Sequence, residues 1–117
     1  MVRVDVTVTS ASEDSIPVVA VSGDVDVSSA PALKSRFAEL IGSGATTLVV
    51  DLTDVAFLDS TGLGALVEAR TQATDAGGSL SIVCTQERIL KLFGITGLDG
   101  VFAIHGTVDE AVAALDG

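Results

Sequence analysis

The sequence predicts an α/β domain built on a mixed, mostly parallel sheet of four to five strands with about four helices. Three observations carry that expectation. Strand-like and helix-like segments alternate from Ile16 onward, and such alternation implies crossover connections between parallel strands. "LVVDL", Leu48–Leu52, is almost wholly apolar, as expected for a strand covered on both faces. "VRVDVTVT", Val2–Thr9, alternates apolar and polar residues, and the polar "SASEDS" separates it from a second strand, as in a hairpin.

The elements follow in order. After the opening strand, "IPVVAVSG" reads as a strand from Ile16 to Gly23. "SSAPALKSRFAELIG" reads as a helix with Ser29 as its N-cap and Pro31 tolerated in the first turn. Leu33, Phe37, Leu40 and Ile41 share one face, and Gly42 or Gly44 ends it. After the strand segment "TTLVVDLTDV", Thr46–Val55, a helix from about Thr61 to Ala76 carries Ala65, Leu66, Ala69, Ala73 and Ala76 along one stripe, which predicts close packing on the sheet. "SLSIVC" is a further strand. "QERILKLFGITG" is a short helix with Ile89, Leu90 and Phe93 inward, and "VFAIH" is a last strand. Thr107 and Glu110 have capping-box spacing and open a final helix holding Ala111, Val112 and Leu115. No linker, repeat or low-complexity tract interrupts residues 1–117, which are expected to form a single domain.

Composition narrows the function. A chain of 117 residues suits one domain that buries roughly two thirds of its unfolded surface. With 48% hydrophobic residues and a mean hydropathy of +0.60, it is no disordered polyelectrolyte. The net charge of −10 repels phosphate backbones, the six basic residues are dispersed, and Trp and Tyr are absent, so nucleic-acid binding is not expected. No apolar run is long enough to cross a bilayer and no signal-peptide pattern opens the chain, so a cytoplasmic location without membrane attachment is expected. The lone Cys84, at the end of a strand, reads as a small buried hydrophobe in a reducing compartment.

Enzymatic readings find little support. A nucleophile elbow needs glycines two residues before and two after the serine, but Ser60 has Leu58 before it. The sole histidine, His105, lies at the far end of the chain. Asp24, Asp26, Asp51, Asp54 and Asp59 offer carboxylates for a hard cation, although acids at strand ends usually belong to solvated turns. "GLGALV" lacks the third glycine of a dinucleotide fingerprint, no Walker-type lysine is present, and "GSGATT" precedes a strand. Neither a catalytic residue nor a metal or cofactor is expected.

"VAFLDSTGLGALVEA", residues 55–69, therefore draws attention. Either Asp59 or Ser60 can cap the helix that follows. Gly62 and Gly64 strip side chains from its first turn, which leaves a hydroxyl on accessible backbone. Leu63 and Val67, one turn apart and off the alanine stripe, form either an exposed docking strip or ordinary core.

"LVVDLTDVAFLDSTGLGALVEA", Leu48–Ala69, resembles the central motif of STAS domains, specifically bacterial anti-sigma factor antagonists. "SGDVDVSSAPALKSRF" is similar to that family's Gly-Glu-Leu-Asp segment and the following helix, and "RILKLFGITGLDGVFAIHGTVDEAVAAL" to its C-terminal pattern. The resemblance covers nearly the whole chain in matching order. It implies a STAS-like fold and a protein that is not an enzyme. It also implies that Ser60 is phosphorylated by a partner anti-sigma factor acting as a serine kinase and reset by a serine phosphatase, with Thr61 a lesser acceptor. Asp24, Asp26 and Asp59 are the acidic neighbours in that motif, Asp24 standing where Glu is usual, and Gly94 stands where an acidic residue is frequent. The expected partner face comprises Asp24, Asp26, Asp59, Ser60, Thr61, Gly62, Leu63 and Val67. STAS domains also serve as non-enzymatic subunits of transporters and other assemblies, which is the alternative reading. Nucleotide binding by the domain itself ranks below both.

Overall fold

A computed structural model describes residues 4–10 and 16–116. In chain order it contains β1 (Val4–Ser10), β2 (Pro17–Val25), α1 (Ala30–Gly42), β3 (Thr47–Leu58), α2 (Ser60–Asp75), β4 (Ser79–Val83), α3 (Glu87–Thr96), β5 (Ala103–His105) and α4 (Val108–Asp116), with a 3₁₀ turn at Leu98–Gly100. The strands form one sheet in the order β1-β2-β3-β4-β5. β1 runs antiparallel to β2, with Ser10 opposite Pro17, and the other pairings are parallel. The polar connection read as a hairpin turn falls on residues 11–15, outside the described residues.

Each βαβ crossover advances the chain by one strand in the same direction. Right-handed connection then sends α1, α2 and α3 to one face of the sheet. The packing agrees. Val19, Val21, Leu48, Val50, Leu52 and Ile82 share a core with Leu33 and Phe37 of α1, Leu66 and Ala69 of α2, and Ile89 and Phe93 of α3. The alternate strand residues Val18, Val49 and Val83 meet Ala111 and Val112 of α4 on the other face. β3 is thus covered on both sides at Leu48–Val50, as its unbroken apolar run predicts. Cys84 is buried, and that burial raises its thiol pKa above the ordinary range, with Asp51 adding to the shift. Among the described residues no helix is long and apolar enough to cross a membrane.

Three local expectations change. β3 does not stop within Thr46–Val55 but continues to Leu58, because β2 stays paired with it as far as Val25 through register shifts near Ala20–Ser22 and Gly23–Asp24. Beyond Asp51 the buried positions are Leu52, Val55 and Leu58, a spacing of three that irregular pairing allows and a period of two does not. Ser29 makes no side-chain cap on α1; its hydroxyl turns back to the preceding loop. Ala76 is exposed rather than part of the α2 stripe, since the helix ends at Asp75 and Ala76 lies beyond its last turn.

Candidate functional site at the β3–α2 junction

β2 and β3 end together. Asp24 lies opposite Phe57 and Val25 opposite Leu58, and the Asp59 amide donates to the Val25 carbonyl at 3.3 Å. The loop bearing Asp24 and Asp26 and the turn bearing Asp59, Ser60 and Thr61 therefore leave the sheet side by side. Their neighbourhood follows from strand register, not from sequence proximity.

Asp59 is the residue that caps α2. Its backbone is extended (φ −110°, ψ −173°), and its carboxylate Oδ1 accepts from the amides of Thr61 at 3.0 Å and Gly62 at 3.1 Å. The Asp59 carbonyl accepts from the Leu63 amide at 3.0 Å. With Asp59 serving the free amides of the first turn, Ser60 does not need to. Ser60 is the first helical residue, it is exposed, and its hydroxyl makes no hydrogen bond among the described residues. Thr61 is half-buried.

The adjoining loop is tied down by hydroxyls. The Asp26 carboxylate accepts from the Ser28 hydroxyl at 2.7 Å and from the Ser28 and Ser29 amides at 3.0 and 3.2 Å. These bonds, the Ser28 hydroxyl first, hold the Asp26 carboxyl below its usual pKa even though burial opposes them. Ser29, only 1% exposed, donates its hydroxyl to the Asp24 carbonyl at 2.7 Å and accepts from the Asp26 amide at 2.9 Å. The serine that sequence suggests as a helix cap instead fixes the path of both acids.

The first turn of α2 divides differently from the sequence expectation. Leu63 is only 3% exposed and belongs to the core, so it cannot line an exposed docking strip. Its burial follows from an inward face broader than the alanine stripe, comprising Gly62, Leu63, Ala65, Leu66, Ala69 and Ala73. Val67 is half-buried and packs against that core. Gly62 is also inward. A Cβ there would lie 2.5 Å from Leu58 Cδ1 and 2.9 Å from the Val25 carbonyl oxygen, so this glycine lets α2 close onto the ends of β2 and β3. What remains outward runs through Ser60, Gly64 and Glu68.

Sequence reasoning missed two apolar side chains at this end of the sheet. Val27, beyond β2, is 71% exposed, and Phe57, near the end of β3, is 43% exposed. Phe57 escaped notice because the spacing of three along upper β3 carries no strand signature. Gln86 was missed as well. β4 ends at Val83, opposite Asp51, so strand pairing leaves the β4-side edge of upper β3 bare. The Gln86 side-chain nitrogen fills that gap, lying 2.8, 2.6 and 3.0 Å from the carbonyls of Leu52, Thr53 and Val55. No local pattern around residue 86 foretells such a contact.

Chemically, the junction offers an unengaged hydroxyl, acidic neighbours and exposed apolar surface. His105 stands at the end of β5, two strands from β3 in the sheet, and does not join Ser60. Among the described residues no group of three or more His, Cys, Asp and Glu side chains converges as metal ligands.

The STAS domain family matches residues 7–111. The chain is 39% identical over 92 residues to an anti-sigma-B factor antagonist of Bacillus subtilis, covering 79% of this chain and 84% of that protein. It is 29% identical over 112 residues to the anti-sigma-F factor antagonist RsfB of Mycobacterium tuberculosis, covering 96% and 91%. A crystal structure of an anti-sigma factor antagonist from Mycobacterium paratuberculosis superposes with a TM-score of 0.87 at 30% identity, covering 97% of this chain and 95% of that one.

Proposed function

Because this chain belongs to the STAS domain family of anti-sigma factor antagonists, we propose that its β3–α2 end is a partner-binding face that phosphorylation of Ser60 switches off. The unmodified protein captures an anti-sigma factor, and the sigma factor is released. That anti-sigma factor is itself a serine kinase. It transfers the γ-phosphoryl of ATP to the Ser60 oxygen, the hydroxyl proton leaves and ADP departs. The phosphorylated protein lets go until a serine phosphatase hydrolyses the ester. The protein acts by binding and performs no chemistry of its own.

The observation that carries this reading is the division of labour between Asp59 and Ser60. Asp59 occupies the Thr61 and Gly62 amides, so the Ser60 hydroxyl is open to a kinase and not needed for the fold. A phosphate there adds a charge of about −1.5 to −2. Asp59 already engages the Thr61 and Gly62 amides, so the helix N-terminus offsets only about 0.3–1 kcal/mol of that charge. Coulomb's law gives roughly 1–4 kcal/mol of repulsion with a partner carboxylate about 8 Å away, depending on effective dielectric. Each 1.4 kcal/mol is about tenfold, and desolvating the phosphate against an apolar contact adds to the loss. A hundredfold weakening follows from the two together.

The test is to incubate the protein with purified anti-sigma factor kinases of its source organism and ATP, map phosphate by mass spectrometry, and measure binding of Ser60→Asp and Ser60→Ala variants. Label on Ser60, with binding lost in Ser60→Asp and retained in Ser60→Ala, supports the switch. An unlabelled Ser60, or full binding by Ser60→Asp, removes it.

A further inference from the structure

We infer that Val27 and Phe57 are the apolar anchor of the partner face, gripping an aliphatic or aromatic side chain of the anti-sigma factor beside Ser60. This inference rests on the partner-binding reading above and names what the partner brings to it. Position is the first support. Val25 and Leu58 are the last paired residues of β2 and β3, and the Asp59 amide donates to the Val25 carbonyl just beyond them. Phe57 stands one residue before that pair and Val27 two residues after it, so strand register gathers both at the Ser60 turn. Three residues separate Phe57 from Ser60, a span of at most about 11 Å. The outward row of α2, Ser60, Gly64 and Glu68, includes no apolar side chain, and a Cβ at Gly64 would meet no heavy atom within 4 Å. Val27 and Phe57 are therefore the large exposed apolar groups at this end of the sheet.

Rigidity is the second. Val27 sits in a turn braced from both sides. The Asp26 carboxylate accepts from the Ser28 amide and hydroxyl, the Asp26 carbonyl accepts from the Ser29 and Ala30 amides, and the Ser29 hydroxyl donates to the Asp24 carbonyl. Turns favour Gly, Asn, Asp or Ser, so the turn itself gives no reason for a valine. A β-branched side chain on an ordered turn has little freedom left to lose when a partner covers it. Apolar chemistry also accounts for release. The neutral Ser60 hydroxyl tolerates a dry contact beside it, whereas a phosphate there must shed its water against groups that give it no counter-charge. A cation in the same place would instead hold the phosphoserine.

The experiment titrates purified anti-sigma factor kinases of the source organism, held with a non-hydrolysable ATP analogue, against wild-type protein and the variants Phe57→Ser, Phe57→Leu, Val27→Ser, Ile95→Ser and Val101→Ser. Ile95 and Val101 are controls of equal exposure, 73% and 43% against 71% for Val27 and 43% for Phe57. Both precede β5, which runs parallel to β4 as β4 does to β3, so they stand at the end of the sheet opposite Ser60. Phe57→Ser should bind at least tenfold more weakly than wild type and Val27→Ser at least threefold, with Phe57→Leu recovering most of the loss. Ile95→Ser and Val101→Ser should match wild type. Val27→Ser should also melt with wild type, which separates lost contact from lost fold. If Ser60 phosphorylation releases wild type, but Phe57→Ser or Val27→Ser binds within twofold of it, the anchor is overturned and the switch stands. An equal loss in either control overturns the anchor too, because any exposed apolar group would then serve. If wild type binds none of these kinases, the partner-binding reading falls, and the anchor with it.

Discussion

The side-chain nitrogen of Gln86 lies 2.6 Å from the carbonyl oxygen of Thr53, joining segments 33 residues apart. The same nitrogen reaches the Leu52 and Val55 carbonyls, so one amide group serves the edge of β3 that β4 does not cover. That edge leads directly to Asp59 and Ser60. Replacing Gln86 by Leu removes that donor from part-buried and exposed carbonyls, which should cost about 0.5–1.5 kcal/mol. Urea unfolding should show that loss. A variant as stable as wild type would mean that water replaces the amide at no cost.

Gly62→Ala should destabilise by about 1–3 kcal/mol, the usual range for overpacking. Of the atoms in the way, Leu58 Cδ1 and Val25 Cγ1 can turn aside, but the Val25 carbonyl is backbone. Thermal unfolding of Gly62→Ala beside Gly64→Ala makes the contrast direct: the first should melt lower than wild type and the second should not.

The cap and the acceptor should separate by mutation. Asp59→Ala removes the acceptor for two amides and should cost about 1 kcal/mol, whereas Asp59→Asn keeps an oxygen there and should lose less. Ser60→Ala should change stability by no more than about 0.5 kcal/mol, as expected of an exposed side chain without a partner. Denaturant midpoints of the three variants test this. A large loss in Ser60→Ala would show that the hydroxyl supports the fold.

Acid should expose the role of Asp26. Its carboxyl is held below the ordinary range by the Ser28 hydroxyl, aided by the Ser28 and Ser29 amides. A carboxyl whose folded pKa is depressed contributes stability above its unfolded pKa and loses it as pH falls through the lower, folded value. Asp26→Asn should therefore be less stable than wild type near neutral pH, and the two should converge below the carboxylate range. Melting curves from neutral pH down to strong acid measure the convergence; a constant gap would assign the effect to shape and not charge.

Local physics made much of this protein legible in its sequence. The order of strands and helices, the doubly covered run at Leu48–Val50 and the inward faces at Leu33, Phe37, Ile89 and Phe93 all follow from the periodicity of side chains along one segment. The Asp59-Ser60-Thr61 turn stood out for the same reason, since capping chemistry acts over three or four residues. Tertiary structure alone decided how far β3 extends, because its upper half is held by β2 and by Gln86 and by nothing in its own pattern. It also turned Leu63 inward, sent the Ser29 hydroxyl to Asp24, and gave Gly62 and Gly64 opposite surroundings within one helical turn. These depend on which surfaces meet across the sheet, and a contact between distant segments leaves no periodic trace in either of them.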